Sequence, residues 1–386
     1  MQDSLEDLLA RYDATAPLER AWTIPGDWYT DPRVEALERR AVFGRTWQVV
    51  GRAAQVAAPG EFLTATVGGE PIVVVRGADG ELRAFYNVCR HHAAAVMTAP
   101  CGRVDRLRCP YHGWTYDLAG RLRGVPEIEG VLGFDRDASG LVPASVAVWE
   151  SFVLVHLDRD PPPLAAHLGA LAEQIAPLGL GSLHFLERRE YVLGCNWKVF
   201  VDNYLDGGYH VPHLHEGLGS ILDYTRYTIE CFDRSCLQSS PIDAAGGEAA
   251  TAEVRGGTRA LYYWLYPSFM LNWYAGYLDT NLVIPLGIDR TKVVFDFYFD
   301  DIGAARAEQN RRSIEVSERI QHEDHAICES VQRGLSSRAY GAGRLSVRRE
   351  AGEHLFHRLL AQDLSTELRE RQAPRAPRTS SDHSSR

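Results

Sequence analysis

Cysteine and histidine occur together twice in this chain, as Cys89-Arg90-His91 and, after seventeen intervening residues, as Cys109-Pro110-Tyr111-His112. Each group follows a strand-like stretch, so the fold has to bring two loop tips together around one centre. Seven cysteines in 386 residues are too sparse for a disulfide framework. One zinc could use all four side chains, but zinc loops pair like with like, as Cys-x2–4-Cys and His-x3–5-His. Mixed loops instead suit a [2Fe–2S] cluster, with Cys89 and Cys109 on one iron and His91 and His112 on the other. Neutral imidazoles in place of thiolates make such a cluster less negative and raise its reduction potential. The plain alternative is a pair of core cysteines beside surface histidines. His92 reads as a loop neighbour and Cys101 as an inert thiol.

The length implies more than one core. Residues 1–43 read as helical pieces broken by prolines. Residues 44–160 read as a small antiparallel β domain, with turns at Gly68-Gly69, at Gly77-Ala78-Asp79-Gly80 and at Asp117-Leu118-Ala119-Gly120. Asp160-Pro161-Pro162-Pro163 marks a boundary. Residues 161–371 form the second domain: one helix over Leu164–Ile175, strands dominating from Arg189 to Asp300, then helices from about Ala304 to Leu335 and from Glu350 to Arg371. The tail, 372–386, reads as disordered. The fold class is therefore α+β. A net charge of −10 at pH 7 argues against a nucleic-acid partner. No apolar run approaches a membrane span, and the acidic start lacks a secretory signal, so the expected location is cytoplasmic.

The second domain carries Asp202-Asn203-Tyr204-Leu205-Asp206-Gly207-Gly208-Tyr209-His210-Val211-Pro212-His213-Leu214-His215. On a regular helix His210 and His215 would stand about 140° apart, at about 100° per residue. Pro212 and the two glycines argue against a regular helix here and let a kinked segment converge the rings. In the last long helix but one, Val316, Ile320, Asp324, Ile327, Val331 and Leu335 advance by four, four, three, four and four residues, a stripe expected to face a core. Asp324 is its one carboxylate. Buried there, it needs an arginine or a metal ion. Glu323 lies off the stripe and is expected to point elsewhere. Two histidines and one carboxylate with open positions form the facial triad of non-heme Fe(II) oxygenases. A one-electron donor and a site that needs external electrons for O2 make each other more plausible.

With both constellations in view, the chain resembles the oxygenase (α) component of Rieske non-heme iron oxygenases from Trp47 to Leu360, the first motif matching C-x-H-x17-C-x2-H without a gap. Within that family it is most similar to the choline monooxygenase and quaternary-ammonium oxygenase group. That likeness is carried by Asn196-Trp197-Lys198-Val199-Phe200, Asp202 to Asp206, Asp279-Thr280-Asn281-Leu282, Glu323-Asp324 and Val331-Gln332-Arg333-Gly334-Leu335. The resemblance implies an antiparallel β Rieske domain followed by a helix-grip (START/Bet v1-like) catalytic domain. It implies Cys89, His91, Cys109 and His112 as cluster ligands, and His210, His215 and Asp324 as ligands of a mononuclear Fe(II). It further implies a homotrimer in which one subunit's cluster feeds its neighbour's iron, with electrons from NAD(P)H through a reductase or ferredoxin. Asp206, four residues before His210, is expected to bridge the two centres, with Asp202 in reserve. Asn203 assists the iron site or caps a helix. The expected reaction is O2-dependent monooxygenation of choline or another quaternary ammonium compound, with N-demethylation as a variant. Aromatic-ring dihydroxylation is the alternative. The aromatic run Tyr262 to Tyr266, Phe269 to Tyr274 and Tyr277 could cage an ammonium group or simply pack strands. Arg348, Arg349, His354 and His357 read as surface or helix-packing residues.

Overall fold

In the computed structural model, residues 3–243 and 247–372 are described; the expected disordered tail lies, apart from Gln372, outside them. The first sheet has seven strands in the order Gln48–Arg52, Phe152–His156, Pro143–Trp149, Leu82–Tyr86, Glu70–Arg76, Glu61–Val67 and Cys101–Arg103. The hairpin turns expected from glycine fall in register: Val67 pairs with Glu70 across Gly68-Gly69, and Arg76 with Leu82. A three-stranded sheet, Leu107–Arg108, Thr115–Tyr116 and Leu122–Gly124, adds the second of the two Cys/His loops.

The second large sheet is fully antiparallel, in the order His184–Leu193, Arg290–Phe299, Tyr277–Gly287, Phe269–Tyr274, Arg259–Leu265, Ser235–Pro241 and Thr228–Cys231. Along its central strands side chains alternate between two largely buried faces, which is why the aromatic runs are unbroken by surface polar residues. The edge strands His184–Leu193 and Thr228–Cys231 are more exposed. Trp264, Met270, Tyr274 and Tyr277 pack with the helices Trp197–Leu205, Ala307–Leu335 and Ala351–Gln372. Tyr263, Leu265, Phe269 and Leu271 face the other way, in one cluster with Val49 and Phe152 of the first sheet and with Trp47, Leu168 and Leu171. This is the expected α+β arrangement, a β domain followed by a helix-gripping sheet.

Helix Trp197–Leu205 lies inside a stretch read as strand. It begins where the Asn196 side chain accepts the Lys198 N–H, a local cap that overrides the apolar strand-like pattern. Lys198 is fully buried, its Nζ 2.6 Å from Oε1 of Glu38, whose Oε2 accepts from Trp197 Nε1. Two other expectations need correction. Leu164–Ile175 is two helices, Leu164–Leu168 and Ala170–Ile175, because Gly169 takes φ +50° between them. The apolar stripe of helix Ala307–Leu335 is only half buried. Ile327 and Val331 are exposed while Cys328 and Gln332 turn inward, Gln332 accepting the Asn196 N–H. Of the four residues expected at the surface or in helix packing, Arg348 is exposed and Arg349, His354 and His357 are buried in the packing. Among the described residues, no helix is long and apolar enough to cross a membrane.

Candidate metal centres

The two Cys/His loops are built on one backbone pattern. Cys89 N–H donates to Ala94 O and Ala93 N–H to Cys89 O; Cys109 N–H donates to Trp114 O and Gly113 N–H to Cys109 O. The turn that closes each loop takes positive φ, at Ala93 (+61°) and Gly113 (+72°). Both sulfurs thereby point inward, Cys89 and Cys109 being 3% and 2% exposed within a cluster that includes Leu107, Trp114 and Tyr116. The imidazoles of His91 and His112 stay at the surface, with their Nδ1 atoms 3.1 Å apart. His91 stacks on Trp114 and His112 on Tyr111, which fixes both ring planes. The Tyr116 hydroxyl lies 3.5 Å from Cys89 Sγ and accepts the Arg90 N–H. Buried thiols on one side and two facing imidazole nitrogens on the other suit a cluster with one sulfur-bound and one nitrogen-bound iron. His92 contacts His91 and stands outside the set, and Cys101 is exposed on its strand.

The second centre begins where helix Trp197–Leu205 ends. Gly207 and Gly208 take φ +68° and +66°. A Cβ on Gly207 would come within 2.0 Å of the Arg349 carbonyl oxygen, so the chain can reverse here only on glycine. The short helix Val211–Leu214, with Pro212 in its first turn, carries His210 and His215 at its ends. Their Nε2 atoms lie 3.1 Å apart. Asp324 Oδ1, from helix Ala307–Leu335, is 3.1 Å from His215 Nε2 and 3.8 Å from His210 Nε2. These three donor atoms lie within 4.8 Å of one another. His213, the third histidine of the segment, is exposed.

Each of the three is held from behind. Asp206 Oδ2 lies 2.6 Å from His210 Nδ1, Glu323 Oε2 lies 2.6 Å from His215 Nδ1, and Asn203 Nδ2 donates to Asp324 Oδ1 at 2.8 Å. Carboxylates on the far ring nitrogens fix the tautomer that offers Nε2 to a metal. Burial lowers the His215 pKa, but Asp324 and Glu323 outweigh it and the net direction is upward. Glu323 therefore does not point elsewhere, as its place off the stripe suggested; it touches His215. Asn203 binds Asp324 and does not cap the helix, a position that Asn196 fills. Asp202 is engaged elsewhere, with Tyr29 Oη at 2.5 Å and His357 Nε2 at 3.0 Å.

A cavity of about 110 Å³ opens on His210, His215 and Asp324. Tyr204, Tyr227, Tyr262 and Tyr274 line it, with Gln238, Arg255, Asn272, Asp279 and Asn281. Of the aromatic run, Tyr262 and Tyr274 reach the cavity. Tyr263 packs on the other face, Tyr266 bonds Asp363, and the Tyr277 ring lies under the Arg255 guanidinium. Tyr204 and Tyr227 belong to the wall but fall outside that run, and no periodicity in the sequence marks them.

A surface pair of Cys/His loops and a buried two-histidine, one-carboxylate site under a helix-gripped sheet define a Rieske iron–sulfur domain joined to a mononuclear non-heme iron oxygenase domain. Residues 46–135 match the Rieske [2Fe-2S] domain family, and residues 180–366 match the ring hydroxylating alpha subunit (catalytic domain) family. The chain belongs to the Rieske non-heme iron oxygenase alpha-subunit family, and within it to the group around choline and carnitine monooxygenases. It is 41% identical to the chloroplastic choline monooxygenase of Arabidopsis thaliana, over 93% of this chain and 87% of that one. To the carnitine monooxygenase oxygenase subunit of Escherichia coli K12 it is 32% identical, over 89% and 94%. The crystal structure of the quaternary ammonium Rieske monooxygenase CntA with L-carnitine superposes with a TM-score of 0.80 at 29% identity, covering 94% of this chain and 99% of that one. Naphthalene 1,2-dioxygenase from Rhodococcus sp. shares the fold, with a TM-score of 0.79 at 20% identity. The protein is thus an oxidoreductase of the Rieske monooxygenase type. Its cofactors are a [2Fe–2S] cluster and a mononuclear iron, and it requires O2 and an external electron donor.

Proposed function

We propose that this protein hydroxylates a C–H bond of a quaternary ammonium compound, choline first among them. The observation that carries this reading is the tyrosine wall of Tyr204, Tyr227, Tyr262 and Tyr274 beside the His210, His215 and Asp324 donor set. Ring faces attract a quaternary ammonium group without needing a hydrogen-bond donor from it, at about 0.5–2 kcal/mol per contact. The two relatives named for choline and carnitine oxidation support the same class.

In this reading Cys89, Cys109, His91 and His112 hold the cluster, and His210, His215 and Asp324 hold the iron. When bound, the cluster supplies single electrons and the ferrous ion supplies O2 activation. The residues of this chain position the rest. Asp206 keeps His210 oriented and links it to His112 of a neighbouring copy in a homotrimer, which makes electron transfer depend on assembly. The inter-subunit electron transfer described for the quaternary ammonium Rieske monooxygenase of gut microbiota supports a multimer. Asn203 holds Asp324. Electrons come from NAD(P)H through a reductase or a ferredoxin, in the cytoplasm. The chain divides near residues 43 and 160 into a helical lead, a cluster domain and an iron domain. Hydroxylation at the alcohol carbon of choline yields the aldehyde hydrate, one oxygen atom entering the product and the other leaving as water with two electrons and two protons. Hydroxylation at an N-methyl or N-methylene carbon instead yields an aldehyde and the amine.

Oxygen uptake by the reduced holoenzyme tests this across choline, glycine betaine, L-carnitine and simple arenes. Coupled uptake with one or more of the ammonium compounds is expected. Stimulation by arenes alone would replace this reading by aromatic-ring dihydroxylation.

A further inference from the structure

The face of the second sheet that meets the iron site carries a line of polar groups among apolar ones. Gln238, Tyr262, Asn272 and Asp279 are register partners on four consecutive strands, so their side chains form a row. Asn281 stands two residues beyond Asp279, on the same face. All five line the cavity. Asp279 is 3% exposed, and a carboxylate removed from water needs compensation. Tyr277 Oη donates to its Oδ2 at 2.6 Å, and Asn272 and Asn281 Nδ2 donate to its Oδ1 at 2.6 and 3.2 Å. Ser317 Oγ lies 3.4 Å from Oδ2. None of these groups is charged.

The one arginine of the cavity wall is engaged elsewhere. Arg255 Nη1 donates to Ser313 Oγ at 2.6 Å and Nη2 to Ser317 Oγ at 2.7 Å, while its plane lies 5.0 and 4.6 Å from the ring centroids of Tyr274 and Tyr277. A guanidinium only donates, so Ser317 keeps its own hydrogen for the Tyr277 oxygen, 2.7 Å away, and Tyr277 gives its hydrogen to Asp279. Burial pushes the Asp279 pKa up, with Tyr277, Arg255, Asn272 and Asn281 opposing. Three donors fixed on its two oxygens favour the charged form of this carboxyl. Asp279 thus stands in the wall with neutral donors on both oxygens and, among the described residues, no cation in contact.

We infer that Asp279 is the counter-charge for the substrate's cationic head, a quaternary ammonium group lodged against Tyr204, Tyr227 and Tyr262. Neutral donors already take up most of its accepting capacity, which suits a quaternary nitrogen, bearing no hydrogen, better than a protonated primary amine. The face of Tyr274 is taken by Arg255, which leaves the other three rings for the substrate. This inference rests on the quaternary-ammonium reading and adds the residue that enforces it.

The test measures equilibrium binding to the holoenzyme by dialysis. The ligands are choline, or whichever of choline, glycine betaine and L-carnitine binds, and its isostere with carbon in place of nitrogen (3,3-dimethylbutan-1-ol for choline). Wild type should prefer the charged member at least about tenfold. D279N should cut that preference at least about fivefold by weakening the charged ligand alone, the three rings keeping the remainder. D279S, which leaves a hydroxyl for the two asparagines, repeats the measurement should D279N not fold. A D279N or D279S protein with normal iron content and melting that keeps the wild-type ratio overturns the inference, and so does a wild type that binds both isosteres equally. Turnover of an ammonium compound together with an unchanged ratio sinks the Asp279 assignment alone. Failure of all three ammonium compounds both to bind and to be oxidised sinks the quaternary-ammonium reading as well.

Discussion

Glu323 and Asp324, adjacent on one helix, hold the single ring of His215 from its two ends, Glu323 Oε2 at 2.6 Å from Nδ1 and Asp324 Oδ1 at 3.1 Å from Nε2. Removing the outer carboxylate frees the ring to turn. E323A should lower iron affinity roughly 10–100-fold, read as iron retained per chain after dialysis against a chelator. The visible absorbance of the cluster should be unchanged, because Glu323 touches none of its four side chains.

Asp206 accepts the backbone N–H groups of Tyr209 and His210 as well as facing His210 Nδ1. D206A should therefore loosen the turn and lose iron, whereas D206N keeps an acceptor oxygen for the turn. D206N should retain both metals yet reoxidise its reduced cluster roughly 10–100-fold more slowly in a single turnover with O2 and substrate. Wild-type reoxidation rates in D206N would remove Asp206 from the electron path.

Glu38 and Lys198 are 1% and 0% exposed, a buried ion pair tying the N-terminal helical segment to helix Trp197–Leu205. Burial pushes the Glu38 pKa up, and Lys198 and Trp197 oppose it. K198M strands the carboxylate and should cost about 3–5 kcal/mol in urea unfolding, while the E38Q/K198M double variant should recover much of that loss. Equal losses in the two variants would mean that packing, not charge, dominates there.

His167 is 7% exposed, with Nε2 unpartnered. Burial holds its pKa down at about 3, with nearby Arg234 acting in the same direction. The unfolded chain takes up a proton near pH 6.5 and the folded chain only near pH 3, so this group's contribution is complete above 6.5 and is lost progressively as the pH falls towards 3. H167M should melt less steeply with acid than wild type, measured as the difference in Tm between pH 7 and pH 5. An identical acid slope in the two proteins would remove His167 as a source of acid lability.

How much of the fold and the site is legible in the sequence depends on the range of the signal. The Cys/His loops are local: spacing alone singles out Cys89, His91, Cys109 and His112, and their two turns repeat one backbone pattern. The convergence of His210 and His215 is also local, because Gly207, Gly208 and Pro212 announce a broken helix. Asp324 stands out through a stripe that the structure only half supports. Ile327 and Val331 face outward because the helix presents Cys328 and Gln332 to Cys195 and Asn196 instead. Glu323 is misplaced by the same stripe because a period says which face a residue occupies, not how far a long side chain reaches round. The polar row is set by strand register between distant segments, and Tyr204, on a helix, with Tyr227 and Arg255, just outside strands, reach the cavity through tertiary packing; one chain's pattern holds no record of either.

The three carboxylates around His210 and His215 have a further consequence. His210 and His215 stand among Asp206, Glu323 and Asp324, and the His215 environment favours protonation. A ferrous ion entering there must evict hydrogen ions, so maturation of this enzyme is an exchange reaction. Protons and iron therefore compete at His215, and iron loading weakens as the surroundings grow more acidic, even with iron in plenty.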